Sequence, residues 1–307
     1  MHQAYQFLSL PNSPITEADV IILPVPYERT VTYNKGTCNG PEAILAASEQ
    51  LEFYEEDKSW CPTEYMKLSV LPTVIDDNQL GEEDFHLKLY NIVEKLSDEA
   101  LFIALGGEHS ITPEMVFARM QNGGTVVQID AHADYRPSYH GSIYNHACPM
   151  YRIRQKGYEL IQIGIRSLHA SEATALQLDS GISTYFDRQL QQATYWKNLL
   201  NQLEQLRGDV WLTIDMDGFD PSLIAGVGTP QPGGLSWYQG LDIIEGVINN
   251  NKINLRGIDI VELVPEPSCV SDMMTAKLVQ KCFSYWGKMK GFDKKPKNGS
   301  QSGIKDE

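Results

Sequence analysis

The segment that most constrains this chain is residues 130–134, an Asp-Ala-His-Ala-Asp run that follows an apolar, β-branched stretch at 125–129. The apolar stretch is typical of a buried parallel strand. Alternate residues of extended chain point to the same side, so Asp130, His132 and Asp134 can converge on one point. Open α/β sheets bind ligands at the carboxyl ends of their strands. Taken alone, the segment is equally compatible with an ordinary polar loop, and the rest of the chain decides between the two.

Two further buried runs end in the same kind of side chain. The run 209–214 is followed by Asp215 and Asp217, and the run 100–105 is followed by a Gly-Gly-Glu turn and His109. Carboxylates gathered in one place without cations repel and raise one another's pKa. Two divalent cations offset that repulsion, and mixed carboxylate and imidazole ligands suit Mn, Fe, Ni or Zn better than Ca. The predicted metal ligands are His109, Asp130, His132, Asp134, Asp215 and Asp217.

Strand and helix patterns alternate over most of the chain, which predicts an α/β fold with a mainly parallel sheet and helices on both faces. Strands are expected at 19–25, 69–74, 100–105, 125–129, 159–165, 181–185, 209–214 and 255–261. Helices are expected at 41–48, 82–96, 110–120, 170–178, 187–206, 237–249 and 271–286. No linker divides the chain, so we expect a single domain over 1–287. Residues 288–307 are rich in lysine, glycine and serine and are predicted to form a disordered tail.

Composition excludes several classes of protein. The formal charge of −15 argues against a nucleic-acid partner, which requires a basic surface. No apolar run is long enough to cross a membrane, and the N-terminus lacks the pattern of a signal peptide. The five cysteines are odd in number and never form Cys-x-x-Cys. Reduced thiols in the cytoplasm fit this usage better than a disulfide framework.

Three ordered motifs carry a resemblance to a known family. Gly106-Gly107-Glu108-His109, the 130–134 segment and the 215–221 segment Asp-Met-Asp-Gly-Phe-Asp-Pro resemble the metal-binding motifs of the ureohydrolases, the arginase and agmatinase family. Segments 40–44, 228–234 and 259–262 also resemble the family, and the similarity runs to the final helix. It implies a three-layer α/β/α fold and a binuclear manganese centre, with nickel or another divalent metal as the alternative.

The resemblance also implies how the two ions are held. One ion would bind His109, Asp130, Asp134 and Asp215, and the other would bind His132, Asp130, Asp215 and Asp217. Asp130 and Asp215 would bridge, as expected when two cations lie about 3.5–4 Å apart. A hydroxide between the ions would attack the guanidinium carbon, and the intermediate would release urea and an amine.

Two non-ligand residues complete the implied site, while Asp134 counts as both a ligand and a catalytic residue. Glu262 ends a buried strand, where a carboxylate without a cation is costly. In the family this glutamate holds the substrate guanidinium, and a structural salt bridge is the alternative. The family's proton-shuttle histidine follows the Asp-x-His-x-Asp motif by roughly a dozen residues, which selects His146. His140, closer to Asp134, is the other candidate.

The leading substrate is agmatine, which would yield putrescine and urea. The strand end at 164–170 has no acidic residue at the place where arginases recognise the amino acid part of arginine, and 145–148 looks more like prokaryotic agmatinases. Arg136 could instead pair with a carboxylate, which keeps guanidinobutyrate open beside arginine and guanidine. A catalytically silent metal-binding subunit and a deacetylase-like hydrolase with one zinc are further alternatives. The family commonly forms trimers or hexamers, so a homo-oligomer is expected.

Overall fold

One parallel sheet forms the centre of the molecule. The computed structural model describes residues 5–76 and 80–298. Within them, eight strands form a single sheet in the order β2-β1-β3-β8-β7-β4-β5-β6, and every neighbouring pair is parallel. The strands are β1 (Val20–Val25), β2 (Leu68–Val70), β3 (Leu101–Gly106), β4 (Thr125–Ile129), β5 (Glu159–Ile165), β6 (Ile182–Phe186), β7 (Gly208–Asp215) and β8 (Ile253–Val261).

Helices connect the strands and cover the sheet. They are α1 (Gly40–Ser48), α2 (Glu82–Val93), α3 (Thr112–Arg119), α4 (Pro149–Gln155), α5 (Ala170–Leu178), α6 (Asp187–Leu190), α7 (Ala193–Gln205), α8 (Trp237–Ile248) and α9 (Val270–Met289). Proline stands in the first turn of α1, α3 and α4, where its missing N–H costs no hydrogen bond. No helix of the described residues combines the length and apolar character needed to cross a bilayer.

The two faces of the sheet bury separate cores, as the pattern of the strands predicts. Ile22 belongs to one core and its neighbour Ile21 to the other, because successive side chains point to opposite faces. Helices α1, α6, α7, α8 and α9 pack on one face, and α2, α3, α4 and α5 pack on the other. The predicted three-layer α/β/α fold is confirmed.

The prediction of one continuous helix over 187–206 is wrong, because this segment forms two helices, α6 and α7. The chain leaves the helix after Leu190 and is extended at Gln192 before α7 begins. Along one continuous helix Leu190 and Leu199 would stand about 180° apart. Both residues lie in the same core, so the break lets each of them reach it.

The sequence predicts that the disordered tail begins at residue 288, and this boundary is too early. Helix α9 continues to Met289, and Phe292 is buried against Trp286 with ring centroids 5.7 Å apart. The backbone N–H of Asn298 donates to the Glu64 carbonyl. The aromatic ring at 292 supplies the apolar contact that a tail of lysines would lack. Residues 299–307, the rest of the predicted tail, lie outside the described residues.

A buried lysine joins α9 to the loop between α1 and β2. Lys281 Nζ lies 2.5 Å from Glu55 Oε1, 2.7 Å from Glu56 Oε1 and 2.5 Å from Asp57 Oδ2. The side chains of Lys281 and Glu55 are 2% and 0% exposed, so the pair is shielded from water. Removing one partner of such a pair leaves an uncompensated buried charge.

We therefore expect Lys281→Met to lower the free energy of unfolding by about 3–5 kcal/mol, because Glu55 stays buried without its cation. Lys277→Met is the matched control, since this lysine of the same helix is partly exposed and contacts the exposed Glu56. It should cost at most about 1 kcal/mol. Urea denaturation followed by circular dichroism measures both, and equal effects would show that the buried network adds nothing.

Candidate active site and metal centre

Four adjacent strands place the predicted site residues at one edge of the sheet. In the order β3-β8-β7-β4, the strands lead into His109, Glu262, Asp217 and the 130–134 segment, and Asp215 is the last residue of β7. Ile129 lies beside Ile214 in the β4–β7 register. Parallel strands expose their carboxyl ends on the same side, so all these loops open toward one another.

The first group of ligands surrounds His109. Its Nδ1 atom lies 3.2 Å from Asp130 Oδ2, 3.0 Å from Asp134 Oδ2 and 3.5 Å from Asp215 Oδ2. This nitrogen is buried and has no hydrogen-bond partner in the described structure. A buried ring nitrogen aimed at three carboxylates is the arrangement that a divalent cation would complete.

The second group surrounds His132. Its Nδ1 atom lies 2.9 Å from Asp217 Oδ2 and 3.7 Å from Asp130 Oδ1. Asp130 therefore turns one oxygen toward each histidine and lies between the two groups. That is the position of a bridging carboxylate, and the donor set fits two cations sharing Asp130.

The electrostatics of the site require positive charge. Burial, followed by the charge of neighbouring carboxylates, raises the pKa of Asp215 and Glu262 well above the usual range. The same two causes raise the pKa of Asp134 to about 7. Each shift reports a carboxylate that is disfavoured in its charged form. Divalent cations among these oxygens would restore the charged form and remove the repulsion.

Hydrogen bonds behind the site fix the ring of His109. Its Nε2 lies 2.8 Å from Thr213 Oγ1, and that hydroxyl donates to the buried carboxylate of Asp259 at 2.7 Å. Because the Thr213 proton goes to Asp259, the oxygen accepts from Nε2–H of the histidine. Nδ1 is then left with a free lone pair toward the aspartates, as metal ligation requires.

Buried amides hold Asp130. Gln128 donates to Asp130 Oδ2 at 2.7 Å, and Gln162 donates in turn to Gln128 Oε1 at 2.7 Å. Thr184 donates to Gln162 Oε1 at 3.1 Å, which extends the chain from β4 across β5 to β6. Three strands thus contribute to the orientation of the central carboxylate.

Two site residues lie in the left-handed region of backbone conformation, which L-residues rarely adopt. The φ angles of Asp134 and Glu262 are 49° and 64°. Such conformations are costly and are kept where the surrounding structure holds them, often at functional sites. Both residues sit where a strand or its extension turns sharply to present a carboxylate.

Glu262 faces a cavity of about 300 Å³ that opens from the ligand groups. Its Oε1 accepts the backbone N–H of His109 at 2.7 Å. No lysine or arginine of the described residues forms an ion pair with it, so the structure gives no support to the salt-bridge alternative. A side chain at Gly228 would put its Cβ 3.1 Å from Glu262 Oε2, so glycine keeps that oxygen accessible.

The two candidate histidines occupy different places. His146 lines the cavity that also holds Asp134, Asp215 and Glu262. His140 is exposed and contacts the ring of Tyr139, outside that cavity. The structure therefore brings His146, and not His140, into the neighbourhood of the ligands.

Sequence reasoning missed an acidic residue that lines the same cavity. Glu172 in the first turn of α5 lines it and accepts the backbone N–H groups of Tyr135 and His169. Arg136 Nε lies 3.6 Å from Glu172 Oε2, and its guanidinium stacks on Tyr139. A glutamate three residues into a helix is a capping signal. The capping box was not recognised because its N-cap residue is His169, whereas serine or threonine is usual at that position.

Arg166 was also missed as a structural residue of the site. Its guanidinium donates to the backbone carbonyls of Asp217, Phe219 and Gln231. It therefore fixes the path of the loop that follows β7 and holds Asp217 in place.

Comparison with known proteins gives consistent matches over nearly the whole chain. The Arginase family model matches residues 18–284. An N(1)-aminopropylagmatine ureohydrolase of Synechocystis sp. is 37% identical over 305 residues, covering 94% of this chain and 98% of that protein. An agmatinase of Pyrococcus horikoshii is 32% identical, covering 83% and 87%. The crystal structure of an agmatine ureohydrolase of Thermoplasma volcanium has a TM-score of 0.78 at 28% identity, covering 91% and 93%.

The position of Asp130 between the two groups makes a prediction about metal content. Asp130→Asn should lower the occupancy of both ions together, because one oxygen faces each group. Asp220→Asn is the matched control, since Asp220 accepts the backbone N–H of Ser222 and belongs to neither group. Elemental analysis should give two divalent ions per chain for the control and fewer than one for Asp130→Asn. Loss of a single ion would show that Asp130 does not bridge.

Proposed function

The chain belongs to the arginase family of ureohydrolases, and we propose on that basis that it releases urea from a linear guanidino amine. The leading substrate is N(1)-aminopropylagmatine, and agmatine is the second candidate. The observation that carries the proposal is Glu262, a buried carboxylate that pairs with no lysine or arginine of the described residues and faces the same cavity as the two groups of ligands. A planar guanidinium is the cation best suited to a carboxylate in a confined space.

The two ions are proposed to be manganese, bound by the six residues named above. When bound, such ions lower the pKa of water and so supply a nucleophile at neutral pH. Glu262 would bind the guanidinium and hold its carbon near the metal centre. Asp134 lines the cavity and would accept a hydrogen bond from the attacking group. A homo-oligomer, as a trimer or hexamer, remains a proposal from the family resemblance.

His146 is proposed to protonate the leaving nitrogen. Burial lowers the pKa of His146 to about 4, and the positive charges of His132 and His109 act in the same direction. Its ring is therefore neutral at neutral pH. It would first take up a proton released in the attack and then give it to the leaving nitrogen. The bond from that nitrogen to the guanidinium carbon breaks with its electron pair, which leaves urea and a free amine.

Support for the longer substrate comes from the relatives and from Glu172 in the lining of the cavity. Removing urea from agmatine with an aminopropyl group on its amino end would leave spermidine. Such a substrate carries two cationic amino groups beyond the guanidinium, and Glu172 offers a carboxylate to one of them. Arg136 would have to leave Glu172. Among the described residues its guanidinium is held by the 3.6 Å contact to Glu172 and by stacking on Tyr139.

The position of Arg136 favours a different class of substrate. Were it to stay in place, its guanidinium would present positive charge to the cavity and favour an acidic substrate such as 4-guanidinobutyrate. The two possibilities make opposite predictions for the charge of the preferred substrate.

A substrate panel decides between them. After loading with Mn²⁺, urea release should be measured for N(1)-aminopropylagmatine, agmatine, L-arginine, 4-guanidinobutyrate and guanidine. We expect kcat/KM for the first to exceed that for agmatine about 10-fold, the gain of one charge-assisted hydrogen bond. L-arginine should be at least roughly 100-fold poorer than agmatine, because its carboxylate has no dedicated partner.

Each other result has a distinct meaning. Preference for 4-guanidinobutyrate would assign Arg136 to a carboxylate and overturn the amine proposal. Equal turnover of L-arginine would mean that the cavity recognises an amino acid. Absence of urea from every compound would favour a catalytically silent subunit.

The shuttle assignment makes a separate prediction. His146→Asn should lower kcat by roughly 10²–10⁴-fold with the metal content unchanged, the range for a lost general acid or base. His140→Asn is the control and should have a much smaller effect, because His140 lies outside the cavity. Steady-state kinetics with elemental analysis checks both variants. A larger effect at His140 would contradict the assignment.

A further inference from the structure

A single hydroxyl links His146 to a carboxylate behind the site. Thr30 Oγ1 lies 2.9 Å from His146 Nδ1 and 2.9 Å from Glu108 Oε1. The backbone N–H of His146 donates to the same oxygen at 3.0 Å. Two polar groups of His146 and one of Glu108 therefore meet at an oxygen with one proton and two lone pairs.

The surroundings of Glu108 determine where that proton goes. This carboxylate is buried and accepts the backbone N–H groups of Arg29 and Thr30 at 2.8 and 2.7 Å, and the hydroxyl of Ser110 at 2.6 Å. Both carboxylate oxygens of Glu108 are therefore acceptors, Oε2 for the two backbone N–H groups and Oε1 for the Ser110 hydroxyl. A carboxylate oxygen and a hydroxyl oxygen 2.9 Å apart need a proton between them. Thr30 supplies it by donating to Glu108.

The consequence for His146 is a fixed tautomer. With its proton directed to Glu108, Thr30 Oγ1 is an acceptor for both of its remaining neighbours. One lone pair takes the backbone N–H of His146, and the other takes the ring nitrogen. Nδ1 must then carry a hydrogen, because an acceptor cannot bond to a bare ring nitrogen.

We propose that Thr30 is a positioning residue for the reaction, holding His146 in the Nδ1–H tautomer so that Nε2 is the atom that exchanges protons in the cavity. The inference rests on the proposed role of His146 as the proton shuttle. Thr30 itself gains and loses no proton in the reaction. The same logic operates at His109, where Thr213 and Asp259 hold the opposite nitrogen and leave Nδ1 free for metal.

The test replaces the hydroxyl without changing its volume. Thr30→Val removes the acceptor for both N–H groups and should lower kcat about 10- to 100-fold, the usual cost of losing such an orienting partner. KM for the preferred substrate and metal content should change less than about threefold. Thr30→Ser keeps the oxygen and should restore kcat to within about threefold of the parent chain. Thr174→Val, at an exposed position of α5, controls for the substitution itself.

Nitrogen-15 NMR gives a readout that is independent of turnover. In histidine-labelled protein loaded with diamagnetic Zn²⁺, the His146 signals are assigned by their absence in His146→Asn. We expect the Nδ1–H tautomer in the parent chain and in Thr30→Ser, and a shift toward Nε2–H in Thr30→Val.

An Nε2–H tautomer in the parent chain overturns the proposal, whether or not Thr30→Val folds. An unchanged tautomer in a folded Thr30→Val does so as well, whatever its kcat. The shuttle role is judged separately by His146→Asn. A normal kcat in that variant would remove the shuttle, while the NMR result would still decide what Thr30 does to the ring.

Discussion

The repulsion among the buried carboxylates at the ends of three central strands, β4, β7 and β8, is the constraint on which the rest of this structure depends. Asp130, Asp134, Asp215, Asp217 and Glu262 are all at most 8% exposed. Gathering that much negative charge away from water is unfavourable unless cations lie among the oxygens. The adjacency of β3, β8, β7 and β4 is what brings these side chains together. Hydrogen bonds behind them keep the carboxylates in place, from Gln128 to Asp130 and from Arg166 to the backbone of Asp217.

A threonine hydroxyl orients each of the two key histidines, but it contacts Nε2 in one ring and Nδ1 in the other. At His109 a threonine backed by Asp259 takes Nε2, which frees Nδ1 for the metal side. At His146 a threonine backed by Glu108 takes Nδ1, which frees Nε2 for the substrate side. In both cases a buried carboxylate accepts the hydrogen bond of the threonine hydroxyl. The threonine oxygen is then an acceptor for the histidine ring. The chemistry of each ring is thereby set from outside the reaction centre.

The fold, and the meeting of the six predicted side chains at one edge of the sheet, could be predicted because they depend on local patterns. A strand run followed by alternating Asp and His predicts a cluster of possible ligands from five residues. The partners that orient these ligands could not be predicted this way, since Thr30 and His146 are 116 residues apart and nothing in either segment marks the other. The break before α7 and the burial of Phe292 likewise depend on packing against distant elements. Glu172 was missed because its capping partner is His169, a residue that rarely occupies the N-cap position.

We propose that two divalent cations share Asp130 at this edge of the sheet. Anomalous diffraction from crystals soaked in Mn²⁺ tests it most directly, because it locates each ion without relying on activity. The account predicts two peaks per chain about 3.5–4 Å apart, one beside Nδ1 of His109 and one beside Nδ1 of His132, with Asp130 between them. A single peak, or two peaks that Asp130 does not contact, would contradict it.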